Sequence, residues 1–215
     1  PKGVTLTKGN LMNFVPAMKC LIDLNPSKTA VSIATESFDF FVSEAVLPIT
    51  QGMRLIMTNE NEQKIPQMLH ELMLRYKVDI LQTTPTRMTY ILNNINNYAG
   101  FEDLQEIILG GEVFKETLLK KLKEVSGARI FNGYGPTETT VFATFKELTH
   151  TDTINIGRPL PNTRIYIVDK YLNPMPIGTV GELCISGDGL MDGYINNRDL
   201  TDERLVECPF EPGKL

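Results

Sequence analysis

Cysteine is scarce in this chain of 215 residues: Cys20, Cys184 and Cys208 are all there is, with no CxxC spacing. An odd number without paired spacing argues against a disulfide framework and fits reduced structural thiols in a cytoplasmic protein. Histidine is scarcer still. His70 and His150 stand far apart and in no ligand-type spacing, so neither a hydrolytic triad nor a metal cluster is expected. His70 lies on an amphipathic helical stretch and is expected at its surface or boundary. No run of about 18 apolar residues occurs, and the start Pro1-Lys2-Gly3-Val4 has neither an initiator Met nor a signal-peptide core. A soluble chain with no membrane partner is expected, cut from within a longer one. An excess of basic charge is also missing. Lys+Arg 21 against Asp+Glu 26 leaves a formal net charge of -5, which argues against a broad nucleic-acid footprint and leaves room for a local cationic pocket. The phosphate loop GxxxxGK[ST] is absent as well.

What remains is an ordinary globular composition, 42% hydrophobic and 22% charged, long enough to bury a sizeable core. The first 150 residues alternate two hydrophobic periods. Leu11, Phe14, Val15, Met18 and Ile22 recur at helical spacing, and Ala30 to Ala34 is a short apolar run. Asp39 to Ile49 is expected to be helical and Met53 to Met57 a strand. Ile65, Met68, Leu69, Leu72, Met73 and Tyr76 mark a strong amphipathic helix, followed by a strand at Val78 to Leu81. Met88, Ile91, Leu92 and Ile95 form a further helical stripe. Ile107 to Leu109 then reads as strand, Leu118, Leu122 and Val125 as helix, and Ile130-Phe131 as strand. This rhythm implies an α/β fold, a mostly parallel sheet flanked by helices. From about Thr151 the texture changes to short strands punctuated by Gly and Pro, at Arg164 to Val168 and Val180 to Ile185, as expected for a small β-rich subdomain. The expected division is therefore 1–150 and 151–215.

In open α/β sheets ligands bind outside the carboxyl ends of the strands. Asn132-Gly133-Tyr134-Gly135-Pro136-Thr137-Glu138-Thr139-Thr140 follows the last of those strands. Its glycines let backbone approach a ligand, its threonine hydroxyls can donate to phosphate oxygens, and Glu138 could hold Mg²⁺ bridging them. The same residues equally suit a helix start with Thr137 as its cap. Gly110-Gly111-Glu112 should lie beside this segment, at the same sheet edge, although a strand-to-helix turn also explains it. Asp39 sits among Phe38, Phe40, Phe41 and Val42. A carboxylate there needs a partner, either a helix N-terminus or the ammonium of a ligand.

The Asn132–Thr140 segment resembles the NxYGPTETT signature of adenylation domains of nonribosomal peptide synthetases, members of the AMP-binding, acyl-adenylate-forming enzymes. Further segments agree in order. Pro1 to Val4 resembles the end of the TSGTTGxPKGV loop, and Phe38-Asp39 the FDxS-type substrate motif. Ile156-Gly157-Arg158-Pro159 through Asp169 resembles the IGRP stretch, and Gly181-Glu182-Leu183 through Gly193-Tyr194, Asn197-Arg198 and Leu200-Thr201 the GELxxxGxxLxxGYxNxxxLT motif. The likeness covers essentially the whole chain.

It implies amino-acid activation. The substrate carboxylate attacks the α-phosphate of ATP, giving an aminoacyl-adenylate and pyrophosphate, and the acyl group passes to the phosphopantetheine thiol of a carrier domain. Carrier and condensation domains of the same synthetase are the implied partners. By the same resemblance Asn132 and Tyr134 contact adenine, with Gly111 and Glu112 in the same wall and Gly133 and Gly135 in the loop. Thr137 binds phosphate, Glu138 holds Mg²⁺, Lys2 is a remnant of the phosphate loop, and Asp39 pairs with the substrate ammonium. The side-chain pocket falls on Phe40, Ser43, Gln82, Ile108, Gly110, Gly133, Val141 and Phe142. None is charged, which favours an uncharged amino acid, because a charged side chain would be desolvated there without a partner. Gln82 could meet a polar tip. The β-rich part is expected to be a distorted barrel. The ribose motif and the C-terminal subdomain with its Lys are expected beyond Leu215, so the piece alone should adenylate poorly, with apolar surface exposed near Pro209 to Leu215. An acyl- or aryl-CoA ligase, or a non-catalytic scaffold, is the alternative. The former would not need Asp39 for an ammonium.

Overall fold

Helices form where apolar side chains recur every three or four residues, and strands where short apolar runs are closed by turn residues. The computed structural model describes residues 2–208 and 210. In chain order its elements are β1 (Val4–Thr5), α1 (Lys8–Lys19), β2 (Thr29–Ser32), a π-helix (Val42–Val46), α2 (Leu47–Thr50), β3 (Arg54–Met57), α3 (Glu60–Lys64) and α4 (Pro66–Tyr76). These are followed by β4 (Ile80–Thr83), α5 (Pro85–Asn93), α6 (Ala99–Glu102), β5 (Glu106–Gly110), α7 (Glu116–Val125), β6 (Arg129–Tyr134) and β7 (Thr144–Glu147). The remainder is β8 (Arg158–Pro159), β9 (Thr163–Val168), β10 (Glu182–Gly187), β11 (Gly193–Tyr194) and α8 (Arg198–Arg204). Among the described residues no helix is long and apolar enough to cross a membrane. The expectation of exposed apolar surface near Pro209 to Leu215 falls, Phe210 apart, outside the described residues.

The chain forms two compact units. One holds Lys19–Tyr134 and Thr144–Arg158; the other holds the described residues of Pro1–Met18, Gly135–Ala143 and Pro159–Leu215. The first is built on a sheet of strand order β3-β2-β4-β5-β6-β7, with β8 at the edge as the chain leaves. Strands β3 to β6 run parallel, and β7 returns antiparallel to β6. Side chains alternate faces. Val31, Leu81, Ile107, Leu109 and Ile130 point into a core with Leu69, Met73, Met88, Ile91, Leu118 and Leu122 from the helices. Register then puts Gln82, Ile108 and Gly110, with Phe131 and Gly133, on the opposite face. Local chemistry marks the helix starts. Asn59 and Glu62 form a reciprocal capping box on α3, while Thr84 caps α5 with Pro85 in its first turn.

In the second unit, β9 and β10 form an antiparallel pair, and β1 pairs antiparallel with β11. Asn10 ties α1 to the 188–190 turn, donating to the carbonyls of Asp188 at 2.8 Å and Leu190 at 2.9 Å. The mostly parallel sheet with flanking helices and the separate strand-rich region are those expected from the sequence. His70 departs from expectation. It is 1% exposed and accepts the Gly100 N–H at 3.4 Å through Nε2, because α6, which no periodicity announces, packs over it.

Candidate active site

In the larger unit, the predicted pocket residues gather on one face of the sheet. Gln82 lies opposite Ile108 in register, and Gly110 opposite Gly133 at the strand ends. Both glycines are the last or near-last residues of their strands, so the strands run further than their apolar cores suggest. Ser43 approaches this face from the π-helix, where its hydroxyl donates to the Phe40 carbonyl at 3.0 Å. It also accepts a 2.6 Å hydrogen bond from the Gln82 amide. Gln82 is 3% exposed, and a buried amide needs such a partner; one N–H of its amide is engaged by Ser43. The space beneath this pair is about 10 Å³, about the room of a single water.

Asp39 is half-buried in the turn that leads into the π-helix. Beside it Phe38 and Phe40 stack with centroids 4.6 Å apart. Gly111 has φ +78, and a side chain there would stand 3.5 Å from the Phe40 ring. That distance is ordinary contact, so position 111 is a glycine for its backbone conformation. Glu112 accepts the Thr86 N–H at 2.9 Å, at the start of α5. Partial burial pushes its pKa up, but hydrogen bonds from Thr86 and Thr84 outweigh this and hold it below the usual carboxylate range. Asn132 is 6% exposed and donates to the Asn155 carbonyl at 3.0 Å, whereas the Tyr134 ring is exposed at the strand end.

The remainder of the predicted site belongs to the smaller unit. Gly135 is required there. A β-carbon would fall 2.6 Å from the Ala143 nitrogen and 2.8 Å from the Phe142 α-carbon. Thr137, Glu138 and Thr139 form a single 3-10 turn, closed by Thr140 in the left-handed region. Of the two readings of Thr137, the helix start is met only by this one turn, with no side-chain cap. The Glu138 carboxylate accepts a hydrogen bond from the Tyr194 hydroxyl, and its carbonyl accepts the Met191 N–H at 2.8 Å. Hydrogen bonding to Glu138, with burial second, pushes the Tyr194 phenol up to about 12. The Lys2 ammonium lies 5.6 Å from the centre of the same ring. A cavity of about 460 Å³, lined by Lys2, Pro136, Glu138, Tyr194 and Arg204 among others, adjoins this group. Val141 and Phe142 are buried at 1% and 2%, Phe142 against Phe14 with centroids 6.4 Å apart.

Glu138 is half-buried, and no group of three or more His, Cys, Asp or Glu able to hold a metal occurs among the described residues. One carboxylate beside a threonine hydroxyl suits Mg²⁺ that arrives on a nucleotide and keeps phosphates and waters as its other ligands, rather than a resident ion. Sequence reasoning did not single out Tyr194 for this contact. Its only signal was an aromatic beside a glycine, and its partner stands 56 positions away. Glu44 and Arg87 were missed too, although a lone carboxylate inside the apolar stretch Phe40 to Leu47 was visible.

The AMP-binding enzyme model matches residues 1–195. Tyrocidine synthase 3 of Brevibacillus parabrevis is 36% identical over 216 residues, 100% of this chain and 3% of that protein. The dimodular nonribosomal peptide synthase of Bacillus subtilis (strain 168) is 34% identical over 215 residues, 99% of this chain and 9% of that protein. The chain thus spans less than a tenth of the length of either. A four-domain nonribosomal peptide synthetase crystallised with AMP and glycine superposes with a TM-score of 0.88 at 29% identity, over 100% of this chain and 16% of that one. A second synthetase in an AMPPNP-bound form shares the fold, with a TM-score of 0.91 at 23% identity over 24% of its chain. The chain belongs to the AMP-binding enzyme family, and along its whole length it is similar to nonribosomal peptide synthetases.

Proposed function

We propose that this chain serves amino-acid activation: an amino-acid carboxylate oxygen attacks the α-phosphorus of ATP, the bond to the pyrophosphate oxygen breaks, and an aminoacyl-adenylate forms. The observation that carries the reading is the Lys2–Tyr194–Glu138 group beside its cavity. It combines cations for phosphate oxygens with a carboxylate fixed by a hydrogen bond. Thr137 donates to a phosphate oxygen, and Thr137 with Glu138 are the residues suited to hold Mg²⁺, which supplies neutralisation of phosphate charge when bound. Tyr134, Asn132, Gly111 and Glu112 serve the adenine.

In the larger unit Asp39 takes the substrate ammonium. Phe40, Ser43, Gln82, Ile108, Gly110 and Gly133 line the side-chain region. This lining carries no charge and favours an uncharged amino acid. The acyl group then moves to the phosphopantetheine thiol of a carrier domain, with condensation domains as further partners. Because the related synthetases are far longer than this chain, activity is to be sought in the full-length protein.

The test is ATP–pyrophosphate exchange by the full-length protein across the common amino acids and a set of fatty and aryl acids. Exchange stimulated by one or a few uncharged amino acids is the expected result. Exchange stimulated only by acids lacking an amino group overturns the assignment of Asp39 and moves the activity to CoA-ligase chemistry.

A further inference from the structure

One buried carboxylate has no part in the reaction just described. Glu44 lies on the π-helix Val42–Val46 and is 3% exposed. Its Oε2 accepts the backbone N–H groups of Ile33 at 2.7 Å and Ala34 at 2.8 Å. Its Oε1 and the Ser32 hydroxyl are both buried without a hydrogen bond of good geometry, the hydroxyl acting on the carboxylate only as a weak donor. Arg87, from α5, completes the arrangement. Its guanidinium donates to the Ile33 carbonyl at 3.0 Å and the Gln63 carbonyl at 2.6 Å, and its charge acts favourably on Glu44.

Both polar groups of Ile33 are therefore held, the N–H by Glu44 and the carbonyl by Arg87. Ile33 is where the chain leaves β2, and Glu44 follows Asp39 by five positions. The two side chains thus close the neck of the segment that presents Asp39 and Phe40. Within it the turn is tightened by Phe38 N–H to Thr35 O at 3.0 Å and Val42 N–H to Asp39 O at 2.9 Å. A π-turn is rare and recurs at functional sites; this one lets consecutive residues diverge, Ser43 to Gln82 and Glu44 to Ile33. A buried charge with an unsatisfied oxygen is an expensive way to hold a backbone that apolar packing could cover, so its position asks for a reason beyond stability.

We infer that Glu44 and Arg87 are positioning residues that fix the Asp39–Phe40 segment, and with it the amino-acid subsite, while leaving the nucleotide subsite untouched. The inference rests on the reading of Asp39 given above. Its test compares Glu44→Ala and Glu44→Gln with the parent in the full-length protein, by amino-acid and ATP KM in pyrophosphate exchange and by hydrogen exchange over residues 33–41. Glu44→Ala should raise the amino-acid KM about tenfold or more, leave the ATP KM within about twofold, and speed exchange at Ile33 and Ala34. Glu44→Gln keeps a carbonyl oxygen for those N–H groups and should lie between the two; it carries the test if the alanine variant does not fold. An equal rise in both KM values, or unchanged exchange at Ile33 and Ala34, overturns the inference. If the parent shows no amino-acid-dependent exchange at all, the activation reading fails. Hydrogen exchange alone then decides whether Glu44 holds the segment.

Discussion

Replacing Glu44 by Gln should make stability less dependent on pH, by an amount the structure sets. Burial is the largest influence on this carboxyl and raises its pKa from 4.5 to about 7, against the opposing pull of the Ala34 and Ile33 N–H groups and Arg87. With the folded-state pKa above the unfolded one, the native protein holds the proton more tightly. Its contribution is therefore fully present below about 4.5 and is lost as pH rises through about 7. At 1.36 kcal/mol per pKa unit, the loss across that window is about 3 kcal/mol. Glutamine does not titrate and shows no such loss. Urea unfolding of parent and variant at pH 5, 6, 7 and 8, followed by hydrogen exchange in peptides of the larger unit, should show the variant gaining on the parent by about 2 to 3 kcal/mol between pH 5 and pH 8, part of the loss having occurred below pH 5. A constant gap across that range would refute the argument, because a group that titrates alike in both states cannot hold the charge at the cost inferred here.

Tyr194→Phe removes the hydroxyl that holds Glu138; a hydrogen bond to a charged group is worth about 2 kcal/mol, so half-saturation by Mg²⁺ in exchange should rise by up to about thirtyfold, and an unchanged Mg²⁺ titration would show the contact to be incidental. Gly135→Ala places a β-carbon 2.6 Å from the Ala143 nitrogen, and should cost at least about 2 kcal/mol of stability in urea unfolding; a variant with the parent's midpoint would mean that the loop has room it does not show. Asp39→Ala should raise the amino-acid KM while sparing ATP binding measured by calorimetry, and an unchanged amino-acid KM would sink its pairing with the ammonium.

The apolar skeleton of the larger unit was legible because its signals are local. The stripe Ile65 to Tyr76 reads as α4, and the short apolar runs read as β2, β5 and β6. Of the candidate site, the neighbourhood of the two glycine segments was legible from the strand order: Gly110 and Gly133 pair at the same edge. What could not be read is polar and long-range. Glu106, the first residue of β5, is 1% exposed and meets Arg129 at 2.7 Å, with Lys28 at 3.8 Å. His70 was expected outside because nothing nearby in sequence offers it a partner, yet Gly100 does so from 30 positions away. Glu44 finds Arg87, and Glu138 finds Tyr194, in the same manner. Hydrophobic burial depends on period, which a short window reveals. Burial of a charge depends on a particular partner, and the partner's distance along the chain is set by topology. A lone carboxylate in an apolar run therefore makes a demand legible from sequence alone: a cation or a set of N–H groups must reach it from elsewhere in the fold, or it keeps its proton. At position 39 a helix N-terminus and the ammonium of a ligand both answer that need, and only the family resemblance points to the ammonium. Five residues on the need applies with greater force, and there the structure supplies the answer in Ile33, Ala34 and Arg87.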